Sequence, residues 1–260
     1  MKNFSEQAEL DLPELCQWGN KLLVLAEEVL ENAKYSDDDH LGFMSLCFLS
    51  KQAGHMQSIL TLSPNRDVIL IARSMIEGLC QLLWAAMVPE KPLQWRVFAF
   101  VHDLRMLEAK EAQGETVSLK RQAIESMLSE YCEPLMNKKG KALDKNRHFK
   151  SEHYYYDWRC GKSIRDICDA VEGTDLYKKL YEQFSDWHHW GVAGLGSAIE
   201  RHADRVVYCT LSSRESASAL VCGFQCLLQT IEITDKRLCT GIESKIYEVK
   251  NEYLARLHHR

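Results

Sequence analysis

Proline and glycine are scarce: 5 Pro and 13 Gly occur in 260 residues. That composition excludes collagen-like chains and Gly/Pro-rich disordered chains. The sequence has no P-loop, nucleophile elbow, HExxH or EF-hand loop, so the motif-borne chemistries of those sites are not signalled. No repeat of 20–50 residues appears, which argues against a solenoid. No charge sign dominates. The 32 Lys+Arg against 37 Asp+Glu leave a net charge of −5, which argues against a dedicated nucleic-acid binder while leaving room for a local basic patch. The opening MKNFSEQAELDLPELCQWGN places acids where a secretory signal needs an apolar run. A cytoplasmic chain with reduced thiols is therefore expected.

Cysteine is not scarce, but it lacks pattern. The 10 cysteines are spread from Cys16 to Cys239 with no CxxC pair. Cys80, Cys222 and Cys226 sit inside apolar helical patterns, where a free thiol behaves as a small buried hydrophobe. Cys222 and Cys226 share a helix face, but no further Cys or His pair at zinc spacing accompanies them. No metal and no cofactor are expected.

What is present is helical periodicity. With 46% hydrophobic residues, a chain of this length buries about 70–75% of its extended surface. Residues 13–34 carry Leu22, Leu23, Leu25, Ala26 and Leu30 on one stripe. Ser36 and the acids Asp37, Asp38 and Asp39 read as the start of a second helix, and the neighbouring His40 as part of a cap rather than a metal site. Ser63–Pro64 reads as the start of a third. That third segment, residues 68–88, is long enough to span a bilayer. It holds Arg73, Glu77 and Gln81 near its middle, and no second span of that quality is recognised. A buried central helix of a soluble bundle, with no membrane partner, is the expectation. Further helical stretches start at Pro92 and after Gly114. Residues 137–161 are basic, then aromatic, without helical period, and read as a surface excursion. Helical pattern resumes at Ser163 and from Thr174 to about Ile199. Residues 205–211 read as a short strand or extended chain, and 212–258 as two closing helices. The fold class expected is all-α: one multi-helix bundle of about seven to nine helices over residues 1–260, with a buried central helix.

Two polar stripes interrupt the apolar pattern. Arg73 and Glu77 lie four apart, the spacing at which opposite charges meet on a helix. Their apolar surroundings require that they be paired. Tyr177, Tyr181, Ser185 and His189 repeat every four residues and form one slanted polar-aromatic row. The row supplies donors, acceptors and a group that titrates near neutrality, and Glu77 or Arg73 would orient His189 if the two helices pack together. Trp187, His188 and Trp190 flank it. Gly191, Gly194 and Gly196 follow and permit close backbone approach. The competing reading of this row is a hydrogen-bonded core network.

The segment LIARSMIEGLCQLLW, with its R-S-x-x-E core, resembles the domain-of-unknown-function 5677 family of bacterial helical proteins. WRCGKSIR at 158–165 and LYKKLYEQFSDWHHW at 176–190 carry the same resemblance, which covers roughly residues 40–200. Carried over, it implies a candidate network of Arg73, Glu77, Tyr181, Ser185 and His189, with Trp158, Arg165 and His188 as binding candidates. The doubled His188–His189 departs from the family pattern, so His188 could take the role of His189. The resemblance brings no established activity. It implies at most a bacterial mobile-element or defence setting.

A weaker analogy is to HEPN-like helical domains, through Arg96 and His102 with five residues between them. It implies a metal-independent ribonuclease in which a histidine is general acid/base and an arginine stabilises the phosphorane. A homodimer is expected under that reading only. Lys138, Lys139, Lys141, Lys145, Arg147 and Lys150, followed by Tyr154, Tyr155 and Tyr156, could hold RNA through phosphate contacts and stacking; the plainer reading is a solvated loop. Two function classes thus stand: a helical binding or interaction module for a small polar ligand, and the ribonuclease. A solvent-open cleft holding His189 and an arginine would favour the enzyme. An enclosed, satisfied network would favour structure.

Overall fold

The computed structural model describes residues 4–131, 133–142, 149–171, 180–189, 191–201 and 203–258. The chain groups into two compact units. The first comprises residues 1–83 and 168–260, the second residues 84–167. The sequence reading expects one domain over 1–260; the packing is of two units, the first discontinuous in sequence.

The helical class holds throughout. The elements are α1 (Phe4–Asn32), α2 (His40–Leu62), α3 (Val68–Met87), α4 (Lys91–Glu111), α5 (Ser118–Tyr131), α6 (Lys138–Lys141), α7 (Ile164–Ala170), α8 (Glu182–His188), α9 (Val192–Gly196), α10 (Ser213–Leu238) and α11 (Glu243–His258). One antiparallel hairpin is added, β1 (Ile199–Arg201) with β2 (Val206–Tyr208), in the register Glu200 opposite Val207.

In the first unit, α1 and α2 pack along α10. The small residue Gly223 lets α10 approach closely: a Cβ there would stand 3.1 Å from the Met56 side chain and 3.3 Å from that of Met75. Trp18, Phe224 and Tyr253 stack and cross edge-on to join α1, α10 and α11. α3 presents no exposed residue from Val68 to Ala85, as expected of a buried helix. However, α10 is the helix that organises the bundle. It is also a second helix, besides α3, long and apolar enough to cross a membrane. More than half of each apolar window is buried, as in a bundle core.

Several boundaries differ from expectation. α1 begins nine residues before Pro13, with acids in its early turns where the helix dipole favours them. The Asp39 carboxylate accepts from the Gly42 amide at 2.8 Å, which bears out the capping reading at the start of α2. Ser63 does not open α3. It closes α2, its hydroxyl donating to the Ile59 carbonyl at 2.8 Å. Asn65 pairs with Leu211, and the Arg66 amide bonds the Thr210 carbonyl. This pairing holds the backbone extended and delays the helix to Val68.

In the second unit, Val97, Val101, Leu104 and Leu107 of α4 pack with Ile124 and Leu128 of α5. Within the segment expected to be a surface excursion, the described residues 137–142 and 149–161 include core positions. Tyr154 and Trp158 are buried, and Met136 bridges Tyr154. Asn137 caps α6 through the amides of Lys139 and Gly140 and donates to the carbonyls of Glu152 and Tyr154. Tyr154 and Trp158, missed by helical periodicity, are core side chains delivered by irregular chain.

Candidate functional site

Arg73 and Glu77 project from the middle of α3, one turn apart. The guanidinium Nη2 lies 3.3 Å from Glu77 Oε1 and donates to the Tyr181 hydroxyl at 2.8 Å. That hydroxyl in turn donates to Glu77 Oε1 at 2.8 Å. The guanidinium also stands 4.8 Å from the centre of the Tyr181 ring, within cation–π range. Burial, then the bond to Glu77, pushes the Tyr181 phenol up to about 12, with Arg73 opposing. The phenol is therefore a neutral bridge between the two charges. One nitrogen, Nη2, makes both of the guanidinium's contacts. Among the described residues neither Arg73 Nε nor Arg66 Nε, both buried, has a hydrogen-bond partner.

Tyr181 therefore takes the place at Glu77 that the sequence offered to His189. Ser185 turns back on its own helix, donating to the Tyr181 carbonyl at 2.7 Å; its lone pairs stay available to accept. His189 closes α8 rather than continuing it, with its amide bonded to the Ser185 carbonyl at 2.8 Å. The helix breaks because Gly191 and Gly194 turn α9 back against α8: a Cβ on Gly194 would lie 2.7 Å from the Trp187 nitrogen. The rings of His188 and His189 meet edge-to-face at 4.7 Å, and both residues are exposed. Partial loss of solvent, with Arg73 and His189 nearby, holds the His188 imidazole below its usual range. Tyr177 and Trp190 fall outside the described residues.

Arg73, Tyr181, Ser185 and His189 line one open depression of about 630 Å³, with Glu182, Gln183 and Asp186 on its wall. Its lining holds one guanidinium, Arg73, and the carboxylates of Glu182 and Asp186. Trp158 and Arg165 belong to the second unit. Trp158 is buried against Trp84, ring centres 5.3 Å apart, and reads as packing; Arg165 is exposed. Arg96 and His102 both lie on α4, six positions apart, which sets them about 120° apart around the helix, so the HEPN-like pairing does not form one face. In the basic run, Tyr154 is core and unable to stack a base, Tyr156 is 89% exposed, and Lys145 and Arg147 lie outside the described residues. Among the described residues no three His, Cys, Asp or Glu gather as metal ligands.

A second arginine was missed. The side chain of Arg66 is 7% exposed. Its guanidinium donates to Ser197 Oγ at 2.8 Å, to the Ser197 carbonyl at 3.2 Å and to Glu215 Oε1 at 3.1 Å. It lies 5.5 Å from the Trp187 ring, whose indole N–H donates to Asp67 at 2.9 Å. This cluster fastens α8, α9 and α10 to the start of α3 and so places the wall of the depression. Its partners are distant in sequence; the one local signal is that Arg66 precedes Arg73 by seven residues.

No curated protein and no solved structure matches the chain. One family model does, over residues 43–206. The span takes in the Arg66 cluster except Glu215, and all of the Arg73–Glu77–Tyr181 network with Ser185 and His189. The resemblance read from short motifs is thus carried by most of the chain, which belongs to the family of unknown function DUF5677.

Proposed function

We propose that the protein is a helical binding module that holds a small polar ligand in the depression floored by Arg73. The observation that carries this reading is the state of Arg73. Glu77 and Tyr181 fix its guanidinium through the single nitrogen Nη2, and the side chain, 15% exposed, lines the open depression. A preorganised guanidinium favours a carboxylate or phosphate group. Ser185, Gln183 and Asp186 on the wall supply acceptors, so the ligand carries hydrogen-bond donors beside its anionic group. A nucleoside monophosphate has that chemistry. Calorimetric titration with adenosine monophosphate tests it: saturable binding to the wild type, lost in Arg73→Gln and weakened in His189→Ala, supports the reading. Equal heats from wild type and both variants contradict it.

The metal-independent ribonuclease remains the second reading because His189 and Arg73 line the same open depression. Against it, among the described residues no carboxylate bonds the His189 ring, and Glu77 is engaged by Tyr181. RNA incubated with chelator and either wild type or His189→Ala separates the two. Cleavage by the wild type alone would establish the enzyme. A mobile-element or defence role stays attached to the family resemblance, and an RNA partner to the basic run.

A further inference from the structure

Four thiols share one part of the first unit's core. Cys80 of α3 and Cys168 of α7 place their sulfurs 2.8 Å apart, one thiol donating to the other. Cys226 bonds Cys222 on α10 and interacts electrostatically with Cys80 and Cys168. All four are free and buried. Two non-bonded sulfurs at 2.8 Å are closer than ordinary van der Waals contact permits, and a disulfide requires only about 2.05 Å. Each sulfur need therefore move by no more than a few tenths of an ångström. The α10 pair is different. Residues four apart on a helix hold their Cβ atoms about 5–6 Å apart, beyond the ~3.5–4.5 Å that a disulfide spans.

We propose that Cys80 and Cys168 form a reversible dithiol–disulfide modification site, oxidised by a hydroperoxide. The chemistry balances in two steps. The Cys168 thiolate attacks a peroxide oxygen; the O–O bond breaks, leaving a sulfenic acid on Cys168 and releasing hydroxide, which takes up a proton as water. The Cys80 sulfur then attacks the Cys168 sulfur. The S–S bond forms, the S–O bond breaks, and the hydroxyl leaves with the Cys80 proton as a second water. Two thiols lose two electrons and one peroxide gains them. The bond from Cys80 lowers the Cys168 thiol, while the Cys168 contact and then burial raise Cys80, so Cys168 is the attacking group. The access route proposed is α7, whose seven residues open at less expense than a long helix. Glu77 precedes Cys80 by one helical turn on α3, so the modification sits directly beneath the polar network.

The test uses the full chain, folded and reduced, treated with hydrogen peroxide. Free thiols are then alkylated under denaturing conditions, and the digest is mapped by mass spectrometry. The expected result is a Cys80–Cys168 peptide pair lighter by two hydrogens, reversed by dithiothreitol, with Cys222 and Cys226 alkylated. Full alkylation of Cys80 and Cys168, over-oxidation of Cys168 without a bridge, or a bridge elsewhere would overturn the proposal. Cys168→Ala, a small apolar exchange, should remove the bridged peptide. The mapping of the wild type decides the matter even if that variant folds poorly. Neither readout depends on ligand binding, so a failure here leaves the reading of the depression untouched.

Discussion

Arg66 and Arg73 stand seven residues apart, just before α3 and within it, yet they do different work. Arg66 has its guanidinium distributed over three oxygens from α10 and the Ser197 turn. Arg73 spends one nitrogen on both of its partners and is 15% exposed beside an open depression. Glu77 is 31% exposed, whereas Glu215 is 17% exposed. The difference teaches how to separate a strut from a site when both are arginine–glutamate pairs. A strut spreads its guanidinium over several partners on different elements; a site aims its guanidinium with few, at the more exposed place.

Mutation should widen that contrast. Arg66→Ala has the largest expected effect, a loss of about 3–5 kcal/mol in urea unfolding, because it strands Glu215 and the Ser197 groups in a buried place. A loss under about 1 kcal/mol would make the cluster ornamental. Arg73→Ala should lose less, about 1–3 kcal/mol, since water can reach Glu77 once the guanidinium is gone. Equal losses in the two variants would erase the distinction.

Tyr181→Phe sharpens the comparison through pH. The phenol is raised to about 12 in the folded chain, above its value of about 10 when unfolded. Both states are neutral below pH ~10, so the bridge's contribution is fully present there. Above it the unfolded chain ionises first, and stability falls as pH rises toward ~12. The fall is at most about 2–3 kcal/mol and should be smaller in Tyr181→Phe, read from urea midpoints at pH 9 and pH 11. Identical slopes for the two proteins would place the titration elsewhere. The smallest effect is expected from His189→Gln, within about 0.5 kcal/mol of wild type, because its ring is exposed and its structural bond is made by the backbone amide.

How much of this was legible beforehand follows from what is local. Arg73 and Glu77 were legible because a charged pair inside an apolar helix must find partners. Tyr181 and Ser185 were legible from their spacing on α8, although Ser185 bonds its own helix and His189 ends it. The turn at Gly191 and the strand β1 were missed because their cause is the packing of α9 on α8, which no periodicity encodes. Arg66 was missed because Ser197 and Glu215 reach it from more than a hundred residues away. Tyr154 and Trp158 were read as surface or ligand-facing because their chain is irregular, and irregular chain can still fill a core. The helical class itself was legible because periodicity of 3.6 runs along most of the chain.

The central claim is that the Arg73 depression is a binding site and the Arg66 cluster is not. The most direct measurement is proton NMR of the histidine ring signals, assigned with His188→Gln and His189→Gln, during titration with adenosine monophosphate. The account predicts saturable shifts of the His189 ring signals in the wild type, abolished in Arg73→Gln. Histidine signals that stay fixed, or that move identically in wild type and Arg73→Gln, would contradict it.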